Sequence, residues 1–107
     1  MSKNKLTTFG ETIKNLRLEK NLPQRKVAAL LDIDTSILSK YEKNVRQPSK
    51  ELIEKIAKIF NVDSQTLLFE AFTDKIAYQF IEDDIDSKTL RVAEDKVEYI
   101  KSKKKTS

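Results

Sequence analysis

The chain has 107 residues, which is the length of one domain with one hydrophobic core. It contains no cysteine, no histidine and a single glycine. These counts argue against a disulfide framework, a His or Cys metal site, a Ser-His-Asp triad and a glycine-rich phosphate loop, so we expect neither an enzyme nor a cofactor. The N-terminus carries no apolar run and no segment approaches ~18 apolar residues, so we expect a cytoplasmic protein without a signal peptide or membrane span.

The net charge of +4 is unevenly divided along the chain. Residues 1 to 60 hold 13 Lys or Arg and 7 Asp or Glu, which gives +6. Residues 61 to 100 hold 4 and 10, which gives −6, and the four lysines after residue 100 restore the total. A basic half joined to an acidic half indicates a polyanion-binding surface beside a second surface with another task, although an unevenly charged solvated surface would look the same.

Helical spacing of apolar residues begins close to the N-terminus. Phe9 and Ile13 share one helical face, which predicts a first helix over residues 8 to 20 with Thr7 or Thr8 as its N-cap. Pro23 cannot continue that helix and suits the start of a second one.

Three further helices are predicted from caps that precede apolar stripes. Asp34 is a suitable N-cap for the third, Ser49 for the fourth, and Asp63 or Ser64 for the fifth. All of these patterns have the helical period, so the sequence predicts an all-α protein.

The C-terminal third is less regular. Residues 74 to 81 fit a helix, although the alternation of Ile76, Tyr78 and Phe80 also fits a strand. Residues 82 to 86 form an acidic linker, and Ser87 can cap a last helix. That helix carries a two-heptad apolar seam at Leu90, Ala93, Val97 and Ile100. We expect residues 101 to 107 to be a disordered basic tail.

Residues 24 to 43 resemble a helix-turn-helix, in which Ala28 permits close crossing of the two helices. From Phe9 to Leu68 the chain is similar to the phage-repressor-like, Xre-type family of DNA-binding regulators. The resemblance rests on IKNLR at 13 to 17, LPQ at 22 to 24, LSKYE at 38 to 42 and RQPS at 46 to 49. The sequence departs from the family at Asp32 and Asn44, where glycine is common, but Asp and Asn also tolerate a left-handed backbone.

The resemblance implies a five-helix domain over residues 1 to 68, with one or two extra helices in an extension over residues 69 to 100. It further implies a transcriptional regulator that binds double-stranded DNA as a homodimer on a palindromic operator, with the recognition helix at about 35 to 43. Restriction-modification controllers belong to the same family. An antitoxin that neutralises a partner protein through its C-terminal half is the alternative function.

Two charged residues fall on inward-facing positions. Arg17 follows Ile13 by four residues, and Glu42 follows Leu38 by four, so each lies on an apolar helical face. The resemblance places Arg17 and Glu42 in contact as a structural ion pair, since an unpaired inward charge is costly. The alternative is that both side chains extend to solvent.

The resemblance also assigns residues to the DNA. Base contacts are expected from exposed residues early in the recognition helix, namely Thr35, Ser36, Ile37 and Lys40. Phosphate contacts are expected from Gln24, Ser39, Lys43, Asn44 and Arg46. A role of Lys40 on phosphate alone remains the alternative.

The acidic C-terminal region holds more large apolar residues than a solvated surface requires. We expect self-association through Leu67, Phe69, Phe72, Phe80, Leu90, Val97 and Ile100. The alternative is that these residues only cover the core of the monomer.

Overall fold

A computed structural model describes residues 6–106, and within that range it contains six α-helices and no strand. The helices are α1 (Phe9–Glu19), α2 (Gln24–Leu31), α3 (Thr35–Glu42), α4 (Lys50–Phe60), α5 (Ser64–Glu82) and α6 (Ser87–Thr106). The expected all-α class is confirmed. Residues 74 to 81 continue α5 as helix, so one extra helix, α6, follows the five of the repressor-like domain. Residues 1–5 of the expected first domain and residue 107 of the expected tail lie outside the described residues.

Side chains at the helix starts satisfy backbone amides that have no partner within the helix. Thr8 Oγ1 accepts from the Glu11 amide and Glu11 Oε1 accepts from the Thr8 amide, forming a capping box at α1. Ser49 accepts from the amide of Leu52 at the start of α4. At α6 the cap is Asp86, which accepts from the Thr89 amide, and not Ser87 as predicted. Asp86 has a lowered pKa because hydrogen bonds from the backbone and the side chain of Thr89 stabilise the ionised form of its carboxylate.

Every described residue with a positive φ is an asparagine or an aspartate. They are Asn21, Asp32, Asn44, Asn61 and Asp84, with φ between 53° and 61°. These two residue types tolerate the left-handed region better than other non-glycine residues, and they allow helices to end where glycine is absent. The expected left-handed backbone at Asp32 and Asn44 is therefore confirmed.

The hydrophobic core lies in a first compact unit that ends at Asp74. In this unit α1 and α2 each pack against α3 and α4, and α5 adds Leu67 and Ala71. The buried core residues are Phe9, Ile13, Val27, Ala28, Leu31, Leu38, Tyr41, Ile53, Ile56, Ala57, Phe60, Leu67 and Ala71. The unit extends beyond the boundary predicted at residue 68, because the first half of α5 belongs to it.

The second unit begins at Lys75 and contains the end of α5 and all of α6. The prediction of a disordered tail from Lys101 is wrong for the described residues, since α6 continues through Thr106. Lysine is a good helix former and is favoured near a helix C-terminus, and Lys103 lies 5.5 Å from the ring centroid of Tyr99 one turn earlier. From Ser87 to Lys104 every side chain of α6 is exposed.

Among residues 6–106 no helix combines the length and the apolar character needed to cross a membrane.

Candidate nucleic-acid interface

The turn between α2 and α3 is compact. Asp32 adopts φ 59° and ψ 46°, and the amide of Ile33 donates a 3.0 Å hydrogen bond back to the Ala28 carbonyl. Ala28 is 1% exposed, which allows the two helices to cross closely. This turn presents α3 at the surface of the first unit.

Helix α3 has one buried face and one exposed polar face. Leu38, Tyr41 and Glu42 are buried, whereas Thr35, Ser36 and Lys40 are exposed. Ser36 and Lys40 are separated by one helical turn and therefore share a row. An exposed, hydroxyl-bearing and cationic helix face can enter a major groove and donate hydrogen bonds to base edges.

Ile37 is not fully available on that face. Its side chain is partly buried and packs against the hydrophobic core. The expected full exposure of Ile37 is therefore wrong, whereas its base contact stays a prediction.

Two cations follow the exposed face of α3. Lys43, the C-cap of α3, and Arg46, three residues later, are exposed, and Ser39 is partly exposed one turn before Lys43. Cations at the end of a groove-inserted helix are well placed to contact phosphates that flank the bases.

The inward charges Arg17 and Glu42 form a buried bidentate ion pair. Arg17 Nε donates to Glu42 Oε2 over 2.6 Å and its Nη2 donates to Oε1 over 3.0 Å. A third guanidinium nitrogen donates to the Leu22 carbonyl over 2.8 Å. The side chains are 9% and 3% exposed, so neither extends to solvent. The pair joins α1 to the last residue of α3.

Two of the expected phosphate ligands have partners inside the protein. Gln24 Nε2 donates to Glu42 Oε1 over 2.9 Å, so this partly buried amide completes the ion-pair network. Asn44 Oδ1 accepts from the Gly10 amide over 3.0 Å, and its Nδ2 donates to Thr8 Oγ1 over 2.7 Å. Both polar atoms of the Asn44 side chain therefore serve the start of α1, which corrects the expected phosphate role of that side chain.

Gly10 has a packing role that the sequence reasoning missed. A Cβ at this position would lie 2.5 Å from the Tyr41 carbonyl oxygen and 2.6 Å from that of Glu42. The start of α1 thus approaches the end of α3 more closely than any side chain permits. The signal in the sequence was the isolated glycine within a helical pattern, which usually has a packing reason.

Helix α5 also contributes to the start of α1. Asp74 Oδ2 accepts from the Phe9 amide over 2.7 Å, and Glu70 Oε2 accepts from Thr7 Oγ1 over 2.7 Å. Burial raises the pKa of Asp74 above its ordinary value, and the charges of Glu70 and Glu11 add to the rise, against the Phe9 amide, which lowers it. Within residues 6–106 these and other carboxylates form no group able to hold a metal ion.

The expected dimerisation residues differ in exposure. Leu67 is 2% exposed and belongs to the core of the first unit, so its assignment to an interface between copies is wrong. Phe80 is partly buried. The others are open to solvent, namely Phe69, Phe72, Leu90, Val97 and Ile100.

The sequence matches the helix-turn-helix family over residues 13–67. It is 33% identical over 75 residues to the cryptic phage CTXphi transcriptional repressor RstR of Vibrio cholerae. This match covers 64% of this chain and 68% of that protein. It is 35% identical over 69 residues to the control protein C.BamHI of Bacillus amyloliquefaciens, covering 64% and 85% of the two chains.

Solved structures of SinR, a master regulator for biofilm formation, share this fold. The SinR complex with DNA has a TM-score of 0.52 and 32% identity, over 57% of this chain and 98% of that one. The SinR–SinI protein complex has a TM-score of 0.53 and 26% identity, over 89% of this chain and 99% of that one. With these matches and the α2-turn-α3 geometry, the chain belongs to the Xre-type helix-turn-helix family of DNA-binding transcriptional regulators.

Proposed function

We propose that this regulator recognises a specific palindromic operator as a homodimer, with α3 in the major groove of each half-site. The observation that carries the proposal is the division of α3 into a buried face and an exposed face that carries hydroxyl groups and Lys40. The crystal structure of SinR in complex with DNA supports it, since that protein shares the fold and 32% of the aligned residues.

Sequence reading is assigned to Thr35, Ser36 and Lys40. Lysine can donate to O6 and N7 of guanine, and the hydroxyl groups can serve several bases. Ile37 is left with at most an edge contact to a thymine methyl, because part of its side chain packs on the core.

Binding strength is assigned to residues around the exposed face of α3. Lys43 and Arg46 supply positive charge for phosphates, and Ser39 supplies a hydroxyl group. Gln24 begins α2, so its amide backbone offers a phosphate contact while its side-chain nitrogen stays on Glu42. These contacts fix the position of the protein without reading the sequence.

Dimerisation is assigned to the C-terminal residues that remain open to solvent. Phe69 is 70% exposed, Phe72 62% and Ile100 53%, which is more large apolar surface than a small monomer needs. A two-fold dimer would place two recognition helices about 34 Å apart, one turn of DNA.

Selection of bound sequences from a random pool of duplex DNA tests this function. Enrichment of a palindrome with half-sites one turn apart supports it. Enrichment of a single half-site contradicts the dimer, and no enrichment at all contradicts specific recognition.

A second function is favoured by the likeness to the SinR–SinI complex, which extends over 89% of this chain. In this function the C-terminal half binds and neutralises a different protein, as an antitoxin does, and the chain regulates its own operon. Stoichiometric co-purification with the product of a neighbouring gene, lost on deletion of α6, would support it.

A further inference from the structure

Helix α6 has an apolar seam with nothing covering it in the monomer. Leu90, Ala93, Val97 and Ile100 follow a heptad pattern, and all four are exposed. In proteins most of the stability of a helix comes from packing its apolar face against another element. The seam therefore needs a partner helix.

The two ends of the seam carry opposite charges. Asp86 precedes Leu90 by four residues and Lys104 follows Ile100 by four, so both lie in line with the seam. The net charge around the seam has the same asymmetry, since residues 82–91 hold four Asp or Glu against two Lys or Arg, whereas residues 96–104 hold four Lys against one Glu.

This asymmetry distinguishes the two ways in which a pair of α6 helices can align. A parallel pair sets Lys104 beside the Lys104 of the second copy and Asp86 beside its Asp86, and like charges at facing positions destabilise pairing. An antiparallel pair sets Lys104 beside Asp86 at both ends. In the same register Leu90 faces Ile100, and Ala93 faces Val97, so the apolar layers coincide.

We propose that α6 binds α6 of a second copy in antiparallel orientation, with Lys104 of each copy beside Asp86 of the other. This pairing rests on the proposed homodimer and specifies its interface. Charge complementarity favours a second copy as the partner. A second α6 in antiparallel orientation places an acidic end beside the basic end of the first, and a basic end beside its acidic end.

Disulfide trapping tests the orientation, because the chain contains no native cysteine to interfere. The full-length variants Leu90→Cys and Ile100→Cys are oxidised separately and as a mixture. We expect efficient crosslinking in the mixture and little in either variant alone, since like positions would be about 15 Å apart along the helix. Val92→Cys, exposed but off the seam, is the matched control and should not crosslink in any combination.

Each outcome has a defined meaning when sedimentation of the unmodified chain is measured alongside. A monomer at tens of micromolar overturns the proposed homodimer together with this pairing. A dimer in which each variant crosslinks with itself, or in which no seam cysteine crosslinks, overturns the antiparallel pairing and leaves the homodimer standing.

Charge exchange provides a second test of the same pairing. Lys101→Glu with Lys104→Glu forms one variant, and Glu82→Lys with Asp83→Lys forms the other. Each alone should dimerise about tenfold more weakly, and an equimolar mixture should recover the original affinity as a heterodimer. If each variant on its own dimerised with the affinity of the unmodified protein, the charges at the ends of α6 would not determine the orientation of the pair.

Discussion

The guanidinium of Arg17 and the carboxylate of Glu42 meet in a bidentate pair with a 2.6 Å Nε–Oε2 distance. Glu42 is the last residue of α3, and Gln24 at the start of α2 binds the same carboxylate. The buried carboxylate of Glu42 therefore connects α1, α2 and α3. The position of the exposed face of α3 depends on this pair although neither residue is exposed.

Replacement of Arg17 by alanine should lower the free energy of unfolding by about 3–5 kcal/mol, because Glu42 would stay buried without its partner. Chemical denaturation of the purified variant measures the change. Lys14→Ala, at an exposed position of the same helix, is the control and should remain near the unmodified protein. If Arg17→Ala unfolds at the same denaturant concentration as the unmodified protein, the pair does not have this structural role.

Replacement of Gly10 by alanine should destabilise the first unit by about 1–3 kcal/mol through overpacking. The added Cβ would meet two backbone carbonyl oxygens, at 2.5 and 2.6 Å, and backbone cannot move aside as a side chain can. Thermal unfolding of Gly10→Ala is compared with that of Asn15→Ala, an exposed site on α1. Equal or higher stability of Gly10→Ala would mean that α1 and α3 are packed less closely than the 2.5 and 2.6 Å distances require.

Replacement of Asp74 by asparagine should raise the melting temperature at neutral pH. Burial and the charges of Glu70 and Glu11 raise the pKa of Asp74 in the folded protein, so the folded state binds a proton more readily than the unfolded chain. Stability contributed by this group is therefore present in acid and lost as pH rises through the raised pKa. Asparagine keeps an acceptor for the Phe9 amide without the charge.

The melting temperatures of Asp74→Asn and of the unmodified protein, measured from pH 3 to pH 7, test this prediction. Their difference should grow as pH increases, whereas Asp74→Ala, which loses the acceptor, should melt below both proteins at pH 7. A difference that does not change with pH would contradict the raised pKa.

Lys40→Ala and Arg46→Ala should weaken DNA binding in different ways. Loss of Lys40 should reduce discrimination between the operator and a mutated operator by about 1–3 kcal/mol. Loss of Arg46 should weaken binding to both sequences and lower the salt slope by about one. Titrations of both DNAs at several salt concentrations separate the effects, and equal loss of discrimination in the two variants would contradict the division of roles.

Deletion of residues 84 to 107 should weaken dimerisation and operator affinity while the first unit stays folded. The deletion removes α6, whereas every residue of the hydrophobic core lies between Phe9 and Ala71. Sedimentation and circular dichroism of the shortened and full-length chains measure both effects. Equal dimerisation of the two chains would remove α6 from the interface.

Much of the first unit could be predicted from local chemistry. The cap at Thr8, the left-handed turn at Asp32 and the inward Arg17 each follow from a short stretch of sequence with a strong preference. The burial of Ile37 and Leu67 could not be predicted in this way, because helical spacing shows which residues share a face but not which element packs against that face. The partners of Asn44 lie 34 and 36 residues away, beyond the range of any local pattern.

The hydrogen bonds at the start of α1 determine how easily this end of the first unit unfolds locally. The first amides of a helix normally exchange with solvent quickly, because they have no partner within the helix. Here the amides of Phe9 and Gly10 are held by Asp74 in α5 and by Asn44 after α3. Their exchange therefore requires separation of elements that are distant in sequence, so they join the cooperative unit of the core instead of fraying with the chain end.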